Sequence, residues 1–158
     1  MGYVENLRKI VGNQPLNLVG VAVAVINENG DLLLQRRNDD QWGVPGGFIE
    51  LGESTEDAGR REVLEETGLE IGKLNLVGVF SGKQHFVKLP NGDEFYPITI
   101  AYISKEIKGG VLKADGQETT EAMFFKPSAL PEDLNPLIKN LVKQYFYNNR
   151  ITGSSIRY

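Results

Sequence analysis

A mixed α/β fold of packed layers is predicted from three observations. Residues 16–26 form a nearly continuous, valine-rich apolar run, the pattern of a buried strand. Residues 54–67 carry helix chemistry at both ends. Strand-like and helix-like segments then alternate along the chain, and elements that alternate in this way bury their apolar faces by stacking in layers. A chain of 158 residues is the size of one compact domain, able to bury roughly 68–70% of its unfolded surface.

Each element has a local reason. Residues 3–11 show helical spacing, with Val4, Leu7 and either Ile10 or Val11 on one side, until Gly12, Asn13 and Pro15 break it. The strand over 16–26 runs into Asn27-Glu28-Asn29-Gly30, whose Asn-Gly pair is a strong hairpin signal, so 31–37 is expected to be the return strand. Residues 38–52 carry Asp, Gly and Pro and are expected to be mostly loop. In the helix over 54–67, Ser54 with Asp57 resembles a capping box, Glu56 and Asp57 suit the positive end, and Gly68 is placed to end it. Residues 74–81 and 96–104 read as strands with a turn at Asn91-Gly92 between them, and 122–125 as a short last strand. Leu137, Leu141, Val142 and Tyr145 are spaced to face the core from an amphipathic helix over 134–147, and 152–158 reads as a frayed tail.

Composition narrows the function classes. The apolar fraction of 41% and charged fraction of 24% are those of an ordinary soluble protein. A net charge of −4 and a pI near 5.1 argue against nucleic acid as a partner, which asks for a basic footprint. They leave a polyphosphate substrate open, because a bound cation supplies positive charge locally. The absence of cysteine excludes disulfides, zinc–thiolate sites and a Cys nucleophile. The first twelve residues carry charges throughout and no signal-peptide run, and Asn6 breaks the myristoylation pattern that Gly2 begins. No apolar stretch approaches the ~20 residues that span a membrane. No membrane partner is expected, and the expected location is cytoplasmic.

The chemistry lies in residues 47–69. Gly47 is followed by Glu53 and then by Arg61-Glu62-Val63-Leu64-Glu65-Glu66-Thr67-Gly68-Leu69. On a helix Glu62, Glu65 and Glu66 stand at i, i+3 and i+4 and share one face. The nearby cations are Arg60 and Arg61, so the three acids read as uncompensated among themselves, and a bound cation is the physical remedy. All-oxygen ligands select Mg²⁺ or Mn²⁺, with Ca²⁺ also open, over softer metals. Mg²⁺ leaves coordination positions for water and substrate phosphates. It neutralises phosphate charge and delivers a water of lowered pKa for in-line attack. A glutamate not saturated by metal is then free to act as general base. A glutamate-rich helix face is ordinarily a solvated one, and Gly46-Gly47 alone is ordinarily a turn. The whole pattern weighs against that: its fixed and aliphatic positions at set spacing match by chance with a probability on the order of 10⁻⁷.

These residues resemble the signature box of the Nudix hydrolases, Gly-x5-Glu-x7-Arg-Glu-U-x-Glu-Glu-x-Gly-U with U aliphatic. Gly47, Glu53, Arg61, Glu62, Val63, Glu65, Glu66, Gly68 and Leu69 fill every specified position. The flanks are similar too, with Trp42-Gly43-Val44-Pro45-Gly46-Gly47 before the box and Glu50 and Gly52 inside it. The box covers 23 residues, and the order of expected elements extends the likeness over residues 16–147. The resemblance implies an α/β/α sandwich with a mixed central β-sheet, as a single domain over residues 1–158. It implies Mg²⁺- or Mn²⁺-dependent hydrolysis of a nucleoside diphosphate linked to another moiety. It implies Glu62, Glu65 and Glu66 as metal ligands, with the Gly46 carbonyl completing the shell and Glu62 also a candidate base. Arg61 then pairs with Glu53 or orients the helix carboxylates. The family often adds an acid from a later loop; Glu118 is the first choice, with Asp115 and Glu121 behind it.

Outside the box, Arg36 and Arg37 are candidate phosphate clamps, against a plain ion pair with Asp39 or Asp40. Trp42 either stacks on a base or packs under the box loop. Lys83 and His85, the sole histidine, are candidate substrate contacts in a polar loop. Family subgroup markers thin the choice of substrate. His85 stands where ADP-ribose-cleaving members tend to carry a proline, and Phe86 and Val87 where dinucleoside-polyphosphate hydrolases tend to carry a tyrosine. The NADH-type and coenzyme A patterns are absent, as is the long N-terminal sheet region of larger nucleotide-sugar members. By elimination the expected substrate is a (deoxy)nucleoside triphosphate or a related polyphosphate. The alternatives are ADP-ribose, a nucleotide sugar, a dinucleoside polyphosphate, or a non-catalytic nucleotide sensor. An isomerase on the same scaffold needs a cysteine, and a cation buffer lacks its EF-hand loop. A homodimer is a possible assembly, with residues 3–11 contributing.

Overall fold

The valine-rich run becomes β1 (Leu16–Val25), and its pairing decides the architecture of the computed structural model, which describes residues 2–38 and 40–151 except the side chains of 137, 144 and 146–151. β1 runs parallel to β7 (Glu94–Ser104), Leu16 opposite Phe95 and Val25 opposite Ser104. β5 (Asn75–Phe80) and the short β6 (Val87–Lys88) pair antiparallel to β7. This sheet is therefore mixed.

The turn after β1 forms as expected, with Asn27 Oδ1 accepting from the amides of Asn29 and Asp31 at 3.0 and 2.9 Å. The hairpin is a correction. β1 and β2 (Leu32–Arg37) meet at the Ile26–Leu32 bridge and then part. The reason is that β1's second edge is taken by the box loop: Val21 N donates to Gly47 O and Val23 N to Pro45 O, each at 2.9 Å. β2 instead joins an antiparallel sheet with β3 (Trp42–Gly43) and β9 (Thr119–Phe125). A further antiparallel pair, β4 (Leu69–Ile71) with β8 (Ile107–Gly110), was not expected from the sequence.

Strand alternation sorts the core onto two faces. Val21, Val23, Val25 and Leu33 pack with Ala58 and Val63 of α2 (Thr55–Thr67). Ile26, Leu32, Leu34 and Ile103 pack with Trp42 and with Val142 of α3 (Pro136–Ile151). Strands thus lie between helices, an α/β/α sandwich. In α3 Val142 is buried and Leu141 and Tyr145 half-buried, as the spacing predicts, while the Leu137 side chain and the tail 152–158 lie outside the described residues. α1 (Tyr3–Val11) matches its expected bounds; Val4, Leu7 and Val11 are half-buried, and Ile10 is 83% exposed.

Candidate functional site

α2 is fixed at both ends by its own sequence. Ser54 Oγ accepts from Asp57 N at 3.1 Å and donates to Asp57 Oδ2 at 2.7 Å. Gly68 closes the helix in the left-handed region at φ 73°, its N–H on Leu64 O at 2.9 Å. With the helix so placed, its glutamate face meets the loop that lines β1. The approach is close: a Cβ on Gly47 would stand 2.5–2.7 Å from the carboxylate atoms of Glu62, and one on Gly46 would collide with Val21 O. Only glycine fits at 46, where the obstacle is backbone; at 47 a side chain would have to push the Glu62 carboxylate aside.

Glu66 is 2% exposed. Gly46 N donates to its Oε2 at 2.8 Å, and Arg37 Nη2 lies 3.2 Å from its Oε1 while also donating to Gly46 O. Burial pushes the Glu66 carboxyl above the usual range, against the charge of Arg37 and the Gly46 amide. Glu62 is also buried, and burial raises its carboxyl against the opposing Arg61; the charges of Glu65 and Glu118 add to the rise. Glu65 is solvent-facing. Arg61 is the hub: it donates to Glu53 at 2.8 and 2.9 Å, to Glu62 at 2.7 Å, to Glu65 at 3.1 Å and to Phe48 O at 3.1 Å. It does both things left open from the sequence, pairing with Glu53 and reaching the helix carboxylates. Its hydrogen bonds hold Glu53 below the usual carboxylate range and raise its own guanidinium further.

The uncompensated acids expected from the sequence are thus a correction. Arg61 covers Glu62 and Glu65, and Arg37, supplied by another strand, covers Glu66. Among the described residues no three carboxylates or histidines already converge as a metal cage. The donor set still fits a hard cation: its atoms are all oxygens, and two of its carboxylates are buried with raised proton affinity.

The later-loop acids separate. Asp115 caps its own turn, Oδ1 accepting from the amides of Gln117, Glu118 and Thr119, and these outweigh burial to lower its carboxyl. Glu121 pairs with Arg36 at 3.5 Å. Glu118 is exposed, and its charge is felt at Glu62. Arg36 also reaches Asp133 and Asp40 and lies over the Trp42 ring, so it is placed among surface acids; Asp39 lies outside the described residues. Trp42 is buried against Phe125, edge to face at 4.9 Å, which is the packing reading. Lys83 and His85 sit on a one-turn 3₁₀ helix (Lys83–His85) leading to β6. Gln35 was missed: its side chain is fully buried, its Oε1 accepts from Thr119 Oγ1 at 3.3 Å, and its Nε2 has no hydrogen-bond partner among the described residues. The available signal was a polar residue closing the Leu32-Leu33-Leu34 run of a strand.

Across the mixed sheet from α2 lies an apolar cleft between β1, β5, β7 and α3. Ala22, Ala24, Phe80, Ala101 and Val142 line it, with Val44 from the box loop at its border. Val44 stands two residues before Gly46, so one short segment touches both cleft and glutamates.

Residues 16–145 match the family described as NUDIX domain. Over 132 residues, 80% of this chain and 78% of the relative, the chain is 34% identical to the Bacillus subtilis protein named "Putative 8-oxo-dGTP diphosphatase". It is 37% identical over 131 residues, 79% of this chain and 73% of the relative, to the ADP-ribose pyrophosphatase of Methanocaldococcus jannaschii. The MutT NUDIX hydrolase from Burkholderia pseudomallei superposes with a TM-score of 0.67 at 24% identity, covering 83% of this chain and 98% of that one, a likeness of fold.

Proposed function

The chain belongs to the Nudix hydrolase family, which acts on pyrophosphate bonds, and on that premise we propose that it is a Mg²⁺- or Mn²⁺-dependent pyrophosphohydrolase of (deoxy)nucleoside triphosphates or related small nucleotides. The observation that carries the reading is the pair of buried carboxylates, Glu62 and Glu66, set against the Gly46-Gly47 loop, with Val44 of the same loop lining the apolar cleft. A nucleotide has one flat, largely apolar end and one anionic end, and an apolar cleft with convergent polar groups nearby is the default place for such a ligand.

In this reading Glu62, Glu65, Glu66 and the Gly46 carbonyl hold the ion, which when bound offsets phosphate charge and acidifies a water. The chain's residues do the rest. Glu62, with proton affinity raised by burial, takes the proton of the attacking water; Glu118, whose charge reaches Glu62, assists or replaces it. Arg61, tied to Glu53, keeps the helix carboxylates in place. Arg37, whose side chain is 47% exposed, sets its guanidinium beside Glu66 and is able to turn to a substrate phosphate. Arg36, Lys83 and His85 are second-rank phosphate contacts. The cleft takes the base. ADP-ribose is the second reading, favoured by the identity to the Methanocaldococcus jannaschii relative. Action on soluble nucleotides of the cytoplasm, as a homodimer, completes the proposal; gel filtration tests the assembly.

The experiment is a panel of dNTPs, oxidised dNTPs, ADP-ribose, nucleotide sugars and diadenosine polyphosphates, with Mg²⁺, Mn²⁺ or EDTA, reading phosphate and pyrophosphate separately. Metal-dependent turnover of the triphosphates, lost in Glu66→Gln, is expected. Preferred turnover of ADP-ribose moves the assignment to the second reading. Binding without turnover makes the chain a sensor and overturns the catalytic proposal.

A further inference from the structure

The family match begins at residue 16, leaving α1 outside it, yet α1 is tied directly to the box. Tyr3 N donates to Glu50 Oε2 at 2.9 Å, and Gly2 packs so closely on the same carboxylate that a Cβ there would stand 2.5 Å from Oε1. At its other end α1 is fastened to the turn before β7. Arg8, with a side chain 12% exposed, donates to Gly12 O, Gln14 O and Glu94 O and pairs with Asp93; Asn13 Nδ2 donates to Asn91 O. The helix is therefore not a loose appendage but a bracket between that turn and residue 50.

Glu50 in turn leads to the carboxylates. Its amide donates to Glu53 Oε2 at 3.1 Å, and Glu53 N donates back to Glu50 O at 3.1 Å. Glu53 is the partner of Arg61, and Arg61 holds Glu62 and Glu65. A carboxylate at a helix N-terminus is also where the helix dipole and the unpaired first amides favour negative charge. Neither α1 nor Glu50 reaches Glu62 itself, so the role is one of placement.

We propose that Glu50 is a positioning residue for the metal-binding carboxylates, held in place by the N-terminus of α1. The inference rests on the metal-dependent reading of Glu62, Glu65 and Glu66 given above. It assigns a role to a helix that stands before the family match, and it makes metal affinity depend on a backbone amide far from the metal.

That amide can be removed alone. Tyr3 is the first residue of α1, where proline costs no helical hydrogen bond. Gly2, at φ −80° and ψ 174°, already has the extended backbone that proline asks of the residue before it. Tyr3→Pro therefore deletes the N–H on Glu50, while Tyr3→Ala keeps it and controls for the lost ring. Mn²⁺ binding is measured on the full chain without substrate by electron paramagnetic resonance, with thermal unfolding in EDTA to verify that each variant is folded. Tyr3→Pro is expected to bind Mn²⁺ more weakly than Tyr3→Ala, by less than the roughly tenfold loss that removing a direct partner of a metal ligand causes, because the amide acts through Glu50, Glu53 and Arg61. Glu50→Gln, which keeps an acceptor oxygen, is expected to bind more tightly than Glu50→Ala. Equal Mn²⁺ affinity in Tyr3→Pro and Tyr3→Ala overturns the inference while leaving the enzyme assignment standing. A wild-type chain that binds no Mn²⁺ overturns the metal-dependent reading and this inference together.

Discussion

Glu62 and Glu66 are acids made reluctant to ionise, and that has a signed consequence for the metal-free protein. Burial raises both carboxyls above their ordinary value of 4.5, so the folded state holds protons that the unfolded chain has released. Their contribution to stability is full below that ordinary value and is lost as pH rises through the raised values. Glu53 and Asp115, both lowered, contribute in the opposite direction, losing their share only as pH falls into the acid range. In EDTA the unfolding temperature should therefore fall as pH is raised above the ordinary carboxylate value, and Mn²⁺ should remove the decline because the ion requires deprotonated ligands. Glu66→Gln, with nothing to titrate there, should flatten the EDTA slope; an unchanged slope would show that burial of this carboxyl is not its cause. Arg37 makes a second prediction. Its guanidinium sits on two of the proposed donors, Gly46 O and Glu66. Arg37→Ala should then bind Mn²⁺ more tightly without substrate, yet show a higher KM for nucleotide. Weaker Mn²⁺ binding would mean that Arg37 prepares the site rather than guarding it. The Arg37 pairing was not legible beforehand, whereas that of Arg61 with Glu53 was. Spacing shows which acids share a helix face, but not which cation a separate strand brings to them.

At the scale of elements, legibility followed the range of the interactions. α2 was readable because Ser54, Asp57 and Gly68 set its ends through contacts within a few residues. Those contacts predict a cost. Ser54→Ala leaves the Asp57 amide without its acceptor and should destabilise by about 1 kcal/mol, lowering the unfolding temperature by roughly 2–4 °C in a chain of this size. Calorimetry checks this, and a change within error would mean that Asp57 or water takes over the cap. The Asn27–Gly30 turn was readable for the same local reason. The identity of β1's partners was not, since β7 lies far along the chain and the other edge is filled by a loop whose role as edge cover leaves no periodicity. β4 and β8 escaped because they are short and β8 ends in Gly109-Gly110, residues that weaken any strand signal. α1 was readable as a helix, but its grip on Glu50 was not, because a backbone N–H belongs to every sequence alike.

At the scale of the molecule, the mixed sheet divides the work between its faces. Val21 and Val23 point to α2, while Ala22 and Ala24 point to the cleft under α3. The alternation that makes β1 a strand thus also separates the carboxylates from the pocket, and the small residues among the valines leave the room for it. The two halves should then be separable by mutation. Ala24→Leu puts three extra carbons into the cleft, away from Gly46, Glu62 and Glu66. If the cleft takes the base, KM for a nucleotide should rise by roughly tenfold or more, since overpacking an apolar site costs about 1–3 kcal/mol. Mn²⁺ affinity, measured without substrate, should stay unchanged, and so should kcat once nucleotide saturates. The cleft's lining is almost wholly apolar, so the effect should be similar for purine and pyrimidine triphosphates: such walls exclude by volume rather than by reading base edges. An unchanged KM would place the base elsewhere, with the loop of Lys83 and His85 the next surface to probe. A fall in kcat together with Mn²⁺ affinity would show that the two faces are mechanically coupled through Val44 and the loop it shares with Gly46.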